Sequence, residues 1–188
     1  MTGIDVRRLP LDLPLRCECW HVRGVASEVS PSTGCRVLCY CKDCQAFARF
    51  LERADVLDAA GGTDIFQMPP GRVKLTAGMD AVRCLRLSNR GIYRWYSDCC
   101  RTPIGNTAGP RVPPIGLIHC FMDHQGHGHS RDVVLGPPLC RIYEALRRRA
   151  ALADAARAAV IRDLRPARIE DVRLVDARAR SADSVLRR

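Results

Sequence analysis

Cys39, Cys41 and Cys44 place three thiols within six residues of chain, next to the polar residues Lys42 and Asp43. If Cys39 and Cys41 lie on a strand, their side chains leave the same face with backbones about 7 Å apart. Cys44 then follows in the turn, so three thiolates can converge on one ion at Zn–S distances of about 2.3 Å. A helix starting just after them would add the partial positive charge of its first turn. Two plainer readings compete. Free cysteines often pack as small apolar side chains, but Lys42 and Asp43 make this a poor core strand. Cys41-Lys42-Asp43-Cys44 also has the form of a redox pair, yet its surroundings read as β-rich rather than βαβ.

Cys17-Glu18-Cys19 repeats the alternate spacing on an earlier predicted strand. Two ligands cannot close a tetrahedral site, and Cys99-Cys100, after the aromatic strand Tyr93-Arg94-Trp95-Tyr96, are the best partners. Adjacent cysteines seldom aim both sulfurs at one ion, so Cys17, Cys19 and Cys100 form the minimal set and Cys99 completes it. Cys35, Cys84, Cys120 and Cys140 read as packing residues. His119, His124, His127 and His129 lie in a Gly-rich segment able to wrap a metal, although solvated surface side chains are the plainer reading. His21 reads as a strand-packing residue. Arg49 and Arg53, on the helix after Cys44, could meet a substrate carboxylate, against the plainer reading of solvated helix-face charges.

The elements that must hold these groups are mostly short strands. Residues 22–29 and 36–41 flank Ser30-Pro31-Ser32-Thr33-Gly34 and predict a hairpin-like pair. From Asp43, a candidate helix cap, Ala46, Phe47, Phe50 and Leu51 follow helical spacing. Thr63–Gln67, Val73–Leu75, Ala81–Leu87 and Gly91–Tyr96 are further β candidates, and Ile115–Met122 is the one clear apolar strand between Pro103 and Pro138. Leu139, Ile142, Tyr143, Leu146, Ala150, Ala153, Val160 and Leu164 fit one face of a C-terminal helix that Pro166 ends. The division expected is therefore a zinc-binding β domain over residues 1–138 and an Arg-rich helical extension over 139–188 with a loosely ordered end.

Hydrophobic residues are 47% and charged residues 27% of the chain, which fits a folded protein. The net charge is +10, carried by 28 Arg and two Lys among 30 basic residues. Acidic residues interrupt the Arg-rich stretches, so composition bias explains the skew better than a nucleic-acid footprint does. The first ten residues lack the apolar run of a secretory signal, and no stretch reaches membrane-spanning length, so the cytoplasm and no membrane partner are expected. In that reducing compartment 11 cysteines, an odd number, point to metal rather than to a disulfide framework.

The order Cys-x-Cys, Cys-x-Cys-x-x-Cys before a helix, then an aromatic strand entering a cysteine turn resembles the glutathione-dependent formaldehyde-activating enzyme family, which includes centromere protein V. The resemblance spans roughly residues 15–122. It implies a small β-tent of antiparallel sheets with up to two zinc ions per chain. Cys17, Cys19 and the cysteines near position 100 would form a structural site. Cys39, Cys41 and Cys44 would hold a second ion with an open position. The implied activity is carbon–sulfur lyase-type chemistry joining or separating a small thiol, such as glutathione, and an aldehyde; no general acid or base stands out. Two departures bear on this. Trp20 stands where the family has Gly, and Ser97 stands where it has a ligand, so either Cys99 substitutes or the structural site is altered. The rival reading is a noncatalytic zinc scaffold that docks a protein or nucleic acid through its Arg-rich helix.

Overall fold

A computed structural model describes residues 10–88, 91–109, 112, 114–124 and 130–146. The chain is mainly β, as expected, and its strands form two sheets. Strand β1 (Leu11–Arg16), β2 (Arg23–Val29) and β5 (Val73–Ala77) make a three-stranded antiparallel sheet in the order β1-β2-β5. The larger sheet comprises β3 (Cys35–Cys39), β4 (Thr63–Met68), β6 (Val82–Leu85), β7 (Tyr93–Ser97), β8 (Pro103–Thr107), β9 (Ile115–Ile118) and β10 (Cys140–Ile142). Its order is β10-β3-β4-β9-β8-β7-β6, antiparallel except for the parallel pair of β10 with β3. Helix α1 (Lys42–Phe50) follows β3, and the short α2 (Arg131–Leu135) precedes β10. No helix among the described residues is long and apolar enough to cross a membrane.

The alternation of side chains along each strand assigns the two faces of the large sheet different partners. Phe66, Met68, Val82, Cys84, Trp95 and Leu117 face the small sheet and close over Leu13, Leu15, Val22, Ala26 and Val29 as the main core. Their neighbours Ile65 and Tyr96 point to the opposite face, where Phe47 of α1 and Leu51 just past its end cover Leu85, Tyr96 and Ile118, and where Val37, Cys39, Cys44 and Ile65 cluster. Gly105 permits the β8–β9 pairing to close, because a Cβ there would stand 2.7 Å from the Gly116 carbonyl oxygen. On the inner face, Arg36 donates to both carboxylate oxygens of Asp64, with Nε to Oδ1 at 2.9 Å and Nη2 to Oδ2 at 2.7 Å, and Arg131 of α2 donates to Asp64 at 2.7 Å. Both Arg36 and Asp64 are buried, so this ion network satisfies charges that would otherwise be stranded.

Several expectations change. Residues 22–29 and 36–41 do not form a hairpin: β2 pairs with β1 and β5, whereas β3 pairs with β4 and β10. The turn between them hands the chain from one sheet to the other. Strand β8 was hidden by Pro103, Gly105 and Asn106, whose types argue against a strand. The apolar run from Ile115 stops at Ile118, and His119–Phe121 form a single tight turn. The helix expected from Leu139 does not begin there: Cys140–Ile142 is a strand and Glu144–Leu146 one helical turn. Apolar spacing of three and four served strand pairing and exposed positions at Leu139 and Tyr143 instead. The rest of that expected helix lies outside the described residues.

Candidate metal centres

Cys39 ends β3, while Cys41 is not on the strand but caps α1. Its backbone is extended at φ −63° and ψ 152°, and its Sγ accepts a hydrogen bond from the Cys44 amide at 3.3 Å. Cys41, rather than Asp43, thus takes the role that an Asp or Ser oxygen usually fills at a helix start. Cys44 lies in the first turn, where amides without intrahelical partners favour negative charge. The three sulfurs lie within 4.8 Å of one another. Hydrogen bonds with Cys39 and Cys44, assisted by Arg94, hold the Cys41 thiol well below its ordinary range, whereas hydrogen bonding with its two neighbours and burial push Cys44 up. The trio by itself therefore supports one thiolate, and a cation could replace the remaining protons.

Arg94 supplies the nearest fixed charge. Its side chain is only 2% exposed, and Nη1 donates to Cys44 Sγ at 3.6 Å and to Asn106 Oδ1 at 3.3 Å. Nη2 stands 3.8 Å from Asp43 Oδ2, and the guanidinium lies over the Phe47 ring at 5.7 Å. A divalent ion with three thiolates carries one net negative charge, which a buried guanidinium offsets. Cys44, Thr63, Arg94, Phe47 and Ile118 line a crevice in which the Thr63 hydroxyl and Arg94 Nε have no hydrogen-bond partner among the described residues.

The second group forms where two turns meet. Cys17 and Cys19 are not on a strand but in the turn from β1 to β2, and Cys99 and Cys100 are in the turn from β7 to β8. The four sulfurs lie within 4.8 Å of one another. Tetrahedral Zn–S bonds of about 2.3 Å set sulfurs about 3.8 Å apart. The observed separations are 3.5 Å for Cys17–Cys19, 3.9 Å for Cys17–Cys99, 3.3 Å for Cys19–Cys99 and 3.9 Å for Cys99–Cys100. The donor set fits such an ion. Around it, the Val22 amide donates to Cys17 Sγ at 3.2 Å, and the Glu18 amide donates to Thr102 Oγ1 at 3.0 Å. Burial opposes ionisation of Cys100, but hydrogen bonds from Ser97 and Thr102 prevail and bring it down to about 5. Burial pushes Cys99 up, with its hydrogen bond to Cys19 adding to the rise.

Ser97 does not join the sulfurs. Its Oγ accepts from the Thr102 amide at 3.1 Å and stands 3.3 Å from Cys100 Sγ, so it braces the turn while Cys99 stands with the other three thiols.

None of the other described candidates joins either group of sulfurs. Arg53, three residues past the end of α1 rather than on it, is engaged by Glu18 and Asp55, each at 2.8 Å, and so ties the segment after the helix to the four-cysteine turn. His21 is exposed and stands 3.4 Å from Asp80, so it is not a strand-packing residue. Cys84 is buried and Cys35 and Cys120 half-buried, but Cys140 is exposed on β10 and does not pack. His119 and His124 lie near Asp64 and Arg131, and His127 and His129 fall outside the described residues. Reading by spacing missed Arg94: an arginine inside an aromatic strand was the available signal, because an unbroken buried strand has no solvent in which to place its charge.

Residues 10–172 match the profile of DUF6151, a family of unknown function. No curated protein matches the chain at a significant level.

Proposed function

For a chain that belongs to the DUF6151 family, whose function is unknown, we propose a two-centre zinc protein related in design to the glutathione-dependent formaldehyde-activating enzymes. Cys17, Cys19, Cys99 and Cys100 would hold a closed structural ion, and Cys39, Cys41 and Cys44 a second ion with room for a fourth ligand. The observation that carries this reading is the difference between the groups: four sulfurs bring a complete tetrahedral set, and three leave one position. The four-cysteine group also lies between a turn of the small sheet and a turn of the large one, where cross-linking stabilises the fold.

The three-cysteine group suits carbon–sulfur chemistry between a small thiol and an aldehyde. Bound zinc would supply a lowered thiol pKa near neutral pH. In the addition, the thiol sulfur forms a bond to the carbonyl carbon, the C=O π pair moves to oxygen, and that oxygen takes the proton the thiol gave up. The reverse step splits the same bond. The chain's contribution is to fix Cys39 on a sheet strand, Cys41 and Cys44 on a helix start, and Arg94 as the compensating charge. Cys41 is the part of the trio that remains partly open to solvent, with Lys42 and Asp43 exposed beside it.

A second reading, a noncatalytic scaffold, draws on how deeply Cys44 is buried against Arg94 and Phe47. Elemental analysis separates the parts. Two zinc ions per chain, falling to one in Cys41→Ala, support both centres; thiol-dependent consumption of formaldehyde lost in the same variant supports the enzyme. One ion that Cys41→Ala leaves in place would remove the reactive centre.

A further inference from the structure

Trp20 follows Cys19 in the turn between the two strands and carries a left-handed backbone, φ +64°, which bulky non-glycine residues rarely adopt. Its ring is 57% exposed. A strained backbone that spends its cost on displaying an indole to water is the kind of outlier that marks a binding site. The ring does not stand alone. Arg16 Cζ lies 4.2 Å from its centroid, and Arg16 is in turn held by Asp123, with Nε donating at 2.7 Å and Nη2 at 3.4 Å. The Nη1 of Arg16 is left without a partner among the described residues. Arg23, at the start of β2, is exposed and likewise makes no ion pair or hydrogen bond through its side chain among them.

These three side chains line a groove of about 350 Å³ with Pro14, Gly24 and Thr76. Gly24 lets β2 pair closely with β5 beneath the groove, since a Cβ there would stand 2.4 Å from the Lys74 carbonyl oxygen. The groove thus combines an aromatic face with two guanidiniums, one held by Asp123 and one free, and it shares a turn with the four-cysteine group without using any of its thiols. Its volume is at the small end of ligand sites and suits one small molecule.

We infer that the groove formed by Trp20, Arg16 and Arg23 binds a planar heteroaromatic ring that carries a phosphate, the chemistry of a nucleoside monophosphate. The ligand ring stacks on the indole face that Arg16 does not cover, and the phosphate meets Arg23 together with the outer donor of Arg16. A nucleic-acid strand fits less well, because the largely exposed carboxylates of Asp80 and Glu18 lie on the surrounding turns and would oppose a continuing phosphate backbone.

The test is calorimetric titration of the full chain with AMP, with inorganic phosphate and a short single-stranded oligonucleotide as comparisons, repeated on Trp20→Gly and Arg23→Gln. AMP should bind one to one, and each variant should weaken it by about tenfold or more, the range of a lost stacking or charged contact. Trp20→Gly should meanwhile keep or raise the melting temperature, because glycine removes the backbone strain. No AMP binding, equal binding by both variants, phosphate binding as tight as AMP, or an oligonucleotide that binds far more tightly than AMP would each overturn the inference. Arg23→Gln is an exposed change, so it remains informative if Trp20→Gly folds poorly.

Discussion

Arg94 reaches from β7 to donate to Cys44 Sγ at 3.6 Å, joining the middle of a sheet strand to the first turn of the helix packed on it. Because both residues are buried, the contact is electrostatic as well as geometric.

The first prediction follows from that contact. Arg94→Met should weaken zinc at the three-cysteine centre by about 10- to 100-fold, the usual cost of losing a group that supports a ligand, while the four-cysteine centre keeps its ion. Competition with a coloured chelator resolves the two sites. Arg94→Lys should recover part of the loss through its charge, and equal affinities in all three proteins would remove Arg94 from the centre.

At the other centre, Cys99 is expected to be indispensable and Ser97 not. Cys99→Ala should lose one zinc and destabilise the fold. Restoring a thiol in the double variant Ser97→Cys with Cys99→Ala should bring the ion back, since Ser97 Oγ already stands 3.3 Å from Cys100 Sγ. Zinc retained in Cys99→Ala alone would mean that three cysteines suffice there.

Asp64→Asn should be among the more damaging single changes. It leaves Arg36 buried beside a neutral amide and removes the anchor of Arg131 on α2. Breaking one partner of a buried pair typically costs about 3–5 kcal/mol. Urea unfolding measures this, and a cost below about 1 kcal/mol would mean that water or another carboxylate compensates.

His119 predicts acid sensitivity. Burial, then the Arg131 charge, lowers its imidazole from the ordinary 6.5 to about 4. The unfolded chain therefore binds a proton between those values that the folded chain does not. Stability is intact above pH 6.5 and falls as pH drops towards 4, by on the order of 3 kcal/mol. Any metal held by the thiols would be released as they protonate and would add to the acid transition, so the informative quantity is the difference between the protein and His119→Gln, which should show a shallower decline over this window. Parallel curves would refute the assignment.

Spacing revealed the cysteine groups because each contains thiols that are neighbours in chain: Cys39, Cys41 and Cys44 in one, Cys17 with Cys19 and Cys99 with Cys100 in the other, although the two halves of the second lie 80 residues apart. The strands β4, β5, β6 and β7 were also legible from apolar alternation between turn formers. Sheet partnership was not. Ser30–Gly34 looks like a hairpin turn, yet its flanking strands belong to different sheets, because pairing is decided by distant residues such as Val73 and Asp64. Arg36 and Asp64 were invisible for the same reason, being 28 residues apart and meaningful only together. At Leu139 to Leu146 the helical period was real in the sequence but was overruled by edge pairing with β3.

The three positions of the smaller cysteine group differ in how firmly they are held. Cys39 ends a strand with β4 on one side and β10 on the other, where Ile142 is its register partner. Cys41 and Cys44 belong to the opening turn of a nine-residue helix. Helix ends open at lower free energy than strands paired on both edges. Were the group to hold an ion, its release would have a direction: the first turn of α1 would lift away with two sulfurs while the third stayed fixed to the sheet, and amide hydrogen exchange at Cys44 and Gln45 would time that opening.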